Sequence, residues 1–147
     1  MSDKYDSLKL ENQLCFPLYA CSKEIVRRYK PYLDEIDLTY TQYIAMMVMW
    51  EHKKINVTEI GELLYLDSGT LTPVLKKLEQ KGLITRTRRK GDERCLDVCI
   101  TEAGEKLKEK AVLVPQKVAS CIGLTAEEAM TMYALLRKTL CAVSGKN

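Results

Sequence analysis

The hydrophobic pattern predicts a mainly α-helical fold with one small β-hairpin wing, a winged helix-turn-helix between longer helical segments. Three observations predict it. Apolar residues recur at helical spacing on both sides of residues 83–100, and inside that segment the period changes to two. A charged, glycine-bearing tip divides the segment into two strand candidates, which is a hairpin pattern. Just before it, two short helices joined by a turn each begin on a cap residue.

The first helical segment covers about residues 10–33, where Leu14, Leu18, Cys21, Ile25 and Tyr29 follow helical spacing. An interior proline removes one backbone donor and clashes with the carbonyl four residues back. Pro31 is therefore expected to kink or end this helix. Pro17 leaves two alternatives: a kink near Gln13, or a main body that starts near Pro17. Thr39-x-x-Gln42 is a capping-box pattern and opens an apolar helix over about 43–50. Asn56-x-x-Glu59 opens a short helix to about Leu64. Tyr65-Leu66-Asp67-Ser68-Gly69 reads as a turn. A third helix then runs from Gly69 or Thr70 to Gln80, with Pro73 near its first turn and Gly82 as its stop.

Residues 83–88 form the first strand candidate and 89–93 the tip. Residues 95–100 form the second strand, with Leu96, Val98 and Ile100 on one face. Thr101 caps another helix, which Pro115 interrupts and Gly123 breaks. Thr125-x-x-Glu128 boxes the start of a last helix to about Val143.

The 147 residues suit one domain with one core. No apolar run reaches the roughly 18 residues of a membrane span, and the first residues are polar without an apolar h-region. A cytoplasmic protein is expected. The net charge is only +3, but residues 76–94 carry +5 and the rest of the chain −2. A basic patch on a near-neutral body is an electrostatic footprint for phosphate. The six cysteines, at 15, 21, 95, 99, 121 and 141, are then core, metal-binding or redox-active rather than a disulfide framework. His52 is the single histidine, so Cys95 and Cys99 lack companions for a zinc site, and no Ser/His/Asp set exists. Neither an enzyme nor a metal or cofactor is expected.

The third helix and the turn leading into it carry Ser68, Gly69, Thr70, Thr72, Pro73, Lys76 and Lys77. Small hydroxylated residues at a helix N-terminus let the backbone approach a major groove, and the two lysines lie one turn further on, within reach of phosphates. The hairpin carries Arg86, Arg88, Arg89, Lys90, Asp92 and Arg94. Such a wing can place an arginine in a narrow minor groove, with Asp92 expected to orient the Arg94 guanidinium.

Leu66-Asp67-Ser68-Gly69-Thr70-Leu71-Thr72-Pro73, Leu78-Glu79-x-x-Gly82-Leu83-Ile84-x-Arg86, Asp92-Glu93-Arg94 and Ile100-Thr101-Glu102-x-Gly104 resemble the MarR family over nearly the whole chain. The first run is similar to its OhrR-like, organic-hydroperoxide-sensing branch. The resemblance implies a homodimeric repressor on a pseudo-palindromic DNA operator, one winged module per half-site. It implies that residues 1–36 and 102–147 form a helical dimerisation region and 37–101 the DNA-binding region of a single domain, 1–147.

Leu14-Cys15-Phe16-Pro17-Leu18-Tyr19 resembles the segment that carries the peroxide-reacting cysteine of that branch, where the pattern has a larger aliphatic residue in place of Pro17. Tyr19, Tyr29 and Tyr40 match the tyrosines that support that thiol. Cys15 and Tyr29 are 14 residues apart, roughly 21 Å on a continuous helix, so Tyr29 can assist only from the other subunit. If the helix starts near Pro17, Cys15 sits at its positive end. A sulfenic acid there condenses with a second thiol. The resemblance implies Cys121 of the other subunit as that partner, with Cys141 as second choice. Cys21, six residues on, faces another side of the helix. Two readings compete. One is a MarR-type repressor released by a small aromatic ligand, with the run Met46-Met47-Val48-Met49-Trp50 lining its pocket. The other is a thiol peroxidase without a DNA role.

Overall fold

A computed structural model describes residues 3–145. Two 3-10 turns, Asp6–Leu8 and Leu10–Asn12, precede the first helix, α1, Cys15–Asp34. The body of the helix thus begins beside Pro17. As the third residue, Pro17 gives up an amide that has no partner in the first turn anyway. Pro31 does not end α1, which continues to Asp34. The reason is tertiary: Leu33 is 1% exposed, and its carbonyl accepts from the Ile36 and Leu38 amides, so the core anchors the last turn beyond the proline.

The second helix, α2, Tyr40–His52, has both halves of its capping box: Thr39 Oγ1 accepts from the Gln42 amide at 3.3 Å, and Gln42 Oε1 from the Thr39 amide at 3.2 Å. It is the central helix. Tyr43, Ala45, Met46, Val48, Met49 and Trp50 are buried, while Met47 points outward. Apart from Met47, the run Met46 to Trp50 is therefore core. After α2 comes a strand the periodicity does not reveal, β1, Lys54–Asn56. Three residues with one apolar side chain carry no period; only pairing with a distant strand defines them.

Asn56 boxes α3, Val57–Leu64, and Asp67 caps α4, Ser68–Gln80. The left-handed Tyr65 makes the turn between them. Because α4 starts at Ser68, Pro73 lies in its second turn, not its first, and leaves the Gly69 carbonyl without its helical donor. Gly82, at φ +73°, ends the helix as expected. Strands β2, Ile84–Arg89, and β3, Asp92–Ile100, form the wing, with a bulge between Arg88 and Arg89. The charged tip contracts to Lys90-Gly91 because pairing extends further along both strands than alternation suggests. The sheet order is β1-β3-β2, all antiparallel, with Ile55 opposite Val98 and Arg86 opposite Val98 on the other side.

Thr101 caps α5, Glu102–Ala111; Pro115 then sits in the first turn of a separate helix, α6, Val114–Ala119. The last helix, α7, Ala126–Ser144, opens on the Thr125/Glu128 capping box. Among the described residues no helix is long and apolar enough to cross a membrane.

The junction of core and wing is tight. Trp50 Nε1 donates to the Gly104 carbonyl at 2.8 Å, 54 residues away. A Cβ on Gly104 would overlap the Leu83 carbonyl oxygen and crowd Ile100. Since backbone cannot swing aside as a side chain can, Gly104→Ala should destabilise the protein by about 2–3 kcal/mol. Urea denaturation measures it, and an unchanged midpoint would show that this junction yields easily.

Candidate nucleic-acid interface and thiol site

The inner face of α4 is fixed by Leu71, Leu75 and Leu78, all at most 1% exposed. This turns Ser68, Gly69, Thr70, Pro73, Lys76 and Lys77 to the surface, with Thr72 half-buried. Asp67 Oδ1 accepts from the Thr70 amide at 2.8 Å, and this hydrogen bond holds the carboxyl below the usual carboxylate range. The cap fixes where the exposed N-terminus of α4 begins. Gly61 of α3 permits the turn: a Cβ there would come 2.9 Å from the Leu66 carbonyl oxygen.

The wing cations divide into two groups. Arg86 donates from Nε and Nη2 to Glu79 Oε2, at 3.1 and 2.8 Å, while its amide donates to Glu79 Oε1 at 3.1 Å. Its side chain is only 17% exposed. Arg86 therefore braces β2 against α4 rather than standing free for a groove, and its hydrogen bonds hold the Glu79 carboxyl below the ordinary range. Arg89 reaches Asp97, with Nη2 at 2.8 Å from Oδ1. By contrast, Lys76, Lys77, Arg88, Lys90 and Arg94 have no ion-pair partner among the described residues. Asp92 Oδ1 accepts from the Arg94 amide at 3.1 Å. The acid orients the Arg94 backbone, not its guanidinium as expected, because a two-residue span along the strand brings it to the amide first.

Asp97 escaped the sequence reading. It is 5% exposed and tied to Arg89 and, at 3.4 Å, to Lys54 of β1. It thus joins wing tip, central strand and β1. Its only trace in the sequence is an acid alternating with apolar residues opposite a basic strand. The Arg89 hydrogen bond, with help from Lys54, lowers its carboxyl below the ordinary range. A lowered folded value stabilises the protein above the ordinary carboxylate range, and this is lost as pH falls through the folded value. Asp97→Asn should therefore lower the urea midpoint at pH 7, and the gap to wild type should close on acidification. A gap that stays constant with pH would exclude the ion pair as its source.

Cys15 is the first residue of α1 and is exposed, flanked by the exposed Leu14 and Phe16. Tyr19 lies one turn on, exposed, with Lys23 Nζ 5.0 Å from its ring centroid. Tyr29 and Tyr40 meet edge to face at 5.0 Å, and Tyr43, 5.9 Å from Tyr29, joins them to Trp50. Burial pushes the hydroxyls of Tyr29, Tyr40 and Tyr43 up, which keeps them as neutral donors. α1 runs unbroken from Cys15 past Tyr29, so the tyrosine cluster and Cys15 stand at opposite ends of one helix within the protomer.

Cys121 follows α6, exposed, 3.7 Å from the Lys117 carbonyl oxygen. Cys141 is exposed on α7, and Cys95 and Cys99 are half-buried on β3. No described residue of α7 is buried, and Met130, Met132, Tyr133, Leu135, Leu136 and Val143 are exposed on it. Leu14 and Leu18 face Met132, Leu135 and Leu136 across an apolar groove of about 750 Å³.

The family model of the SarA/Rot transcriptional regulators matches residues 27–111. Over all 147 residues the chain is 48% identical to an organic hydroperoxide resistance transcriptional regulator of Bacillus subtilis (strain 168), covering 100% of both. AbfR of Staphylococcus epidermidis, in its reduced form bound to DNA, is 33% identical, with a TM-score of 0.78 over 96% of this chain and 99% of that one. Disulfide-formed AbfR gives 0.67 over 95% and 96%, at the same identity. A mutant MarR from E. coli complexed with operator DNA gives 0.80 at 27% identity, over 95% and 99%. These relatives are transcriptional regulators, not enzymes. With its three-stranded wing behind the helix pair α3–α4, and with this full-length likeness, the chain belongs to the MarR family of winged-helix transcriptional regulators, on the organic-hydroperoxide-resistance branch.

Proposed function

We propose that the chain is a cytoplasmic, homodimeric repressor that binds a pseudo-palindromic operator when reduced and releases it when an organic hydroperoxide or related oxidant attacks Cys15. The observation that carries this reading is the position of Cys15: an exposed thiol as the first residue of α1, next to the apolar groove that α1 forms with α7. Two further features support it. A 19-residue helix without buried residues is not stable alone in water, so α7 needs a partner, and a second copy offers the same apolar surface. AbfR exists both reduced on DNA and disulfide-formed.

In this reading α4 enters the major groove with Ser68, Gly69, Thr70, Thr72 and Pro73 at its leading end. Lys76 and Lys77 bind phosphates. Arg88, Lys90 and Arg94 serve the minor groove, while Arg86 and Arg89, with Glu79 and Asp97, hold the wing in register. Tyr29 and Tyr40 support the other subunit's Cys15, and Tyr19 its own. Oxidised Cys15 condenses with Cys121 across the dimer, with loss of water, and the bond shifts the spacing of the two α4 helices. Non-reducing electrophoresis of Cys121→Ser protein tests the partner. The cross-linked dimer of oxidised wild type should disappear; if it persists, Cys141 or another thiol takes that place.

A further inference from the structure

Within the protomer, Cys121 lines a cavity together with Cys21, and Cys15 is not among the residues of that lining. Cys21, Ile25 and Arg28 follow one face of α1, and Val118, Cys121 and Ile122 follow one face of α6 and its exit; together they line one cavity of about 340 Å³. A disulfide needs roughly 4.4–6.8 Å between Cα atoms, so the pair closes only if the two walls approach each other. The two walls are held together: Val118 is 1% exposed in the core, and Lys117 Nζ lies 3.3 Å from Glu35 Oε2 just beyond α1. Cys121 itself lies past Ala119, the last residue of α6, in a turn that ends on Gly123 at φ +73°. A turn can close on a helix without unpacking it. Both thiols are free and exposed. Cys15 borders neither wall; its neighbours Leu14 and Leu18 line the separate groove against α7.

We propose that Cys21 and Cys121 of one protomer form a second, intrasubunit thiol pair, which takes over the disulfide first made between Cys121 and the other subunit's Cys15. This rests on the reading of Cys121 as the resolving thiol. In the exchange, the Cys21 thiolate attacks the Cys121 sulfur. The Cys21–Cys121 bond forms, the Cys121–Cys15 bond breaks, and Cys15 leaves as a thiolate that takes up a proton equivalent to the one Cys21 lost. No reductant is consumed. The oxidising equivalent moves into one protomer, the subunits are no longer cross-linked, and Cys15 can meet a second oxidant.

The test uses full-length wild-type and Cys21→Ser protein, each given one equivalent of cumene hydroperoxide and alkylated at intervals. In wild type, the cross-linked dimer should rise and then decay to monomer. Cys15 should be alkylated again in that monomer, and Cys21 linked to Cys121. Residues 15 and 21 share one tryptic peptide, between Lys9 and Lys23, so fragment-ion sequencing or cleavage after Tyr19 assigns the bond. In Cys21→Ser protein the dimer should persist at least tenfold longer. Equal lifetimes in the two proteins would overturn the exchange. Absence of a cross-linked dimer in both would instead defeat the Cys15–Cys121 reading. Independently, Cys15→Ser protein treated with diamide should close Cys21 onto Cys121 within the monomer; if no such bond forms, the pair itself is refuted.

Discussion

Cys15→Ser protein is expected to keep its operator through a hydroperoxide challenge that releases wild type by roughly 10- to 100-fold in affinity, the usual size of an allosteric coupling. A serine hydroxyl is nearly isosteric but has no sulfur to oxidise. Because Cys15 is exposed at the start of α1 and no described core residue rests on it, the substitution should leave folding and reduced-state binding unchanged. An operator gel shift with graded cumene hydroperoxide, repeated after dithiothreitol, measures this. Oxidant-driven release from the serine variant would remove Cys15 from the sensor role. Release by an aromatic compound from a variant lacking all six cysteines would favour the ligand reading instead.

The second large effect concerns the unpaired cations. Arg94→Ala acts twice in a dimer, and a groove-reading arginine is worth about 1–3 kcal/mol per site, so operator affinity should fall by roughly 30-fold or more. The loss should be greater for the operator than for unrelated DNA. Lys76→Ala should instead weaken both kinds of DNA alike and lower the slope of log affinity against log salt by about 2, one per subunit. Arg86→Ala gives a third signature. It breaks the brace between β2 and Glu79 of α4, so it should lower the denaturation midpoint and loosen operator binding while the salt slope stays put. Fluorescence anisotropy on operator and scrambled duplexes at several salt concentrations separates the three. If Arg86→Ala reduced the salt slope as Lys76→Ala does, Arg86 would be a phosphate contact after all.

Much of this protein is written locally. Thr39/Gln42, Asn56/Glu59 and Thr125/Glu128 mark helix starts within a residue or three, because a capping box is a contact between residues three apart. Gly82 marks the end of α4 for the same local reason, a backbone that needs positive φ. The hairpin, the order of elements and the basic segment were equally legible. So were the cations as candidates, since residue type and spacing are enough to nominate them, whereas Cys15 was nominated by the family resemblance of residues 14–19.

What distant partners decide was hidden. β1 exists because Lys54–Asn56 pair with residues 97–99. α1 passes Pro31 because Leu33 is buried by other elements. Among seven candidate wing and helix cations, only packing separates Arg86 and Arg89, held by Glu79 and Asp97, from the five that stand free. The resemblance nominates Cys15 and Cys121, but only the fold places Cys21 and Cys121 on the lining of one cavity and Cys15 at a helix start. Short-range hydrogen bonds and periodicity determine which elements form. Which charge is neutralised and which thiols meet depends on side chains brought together across tens of residues, and that is a property of the folded chain alone.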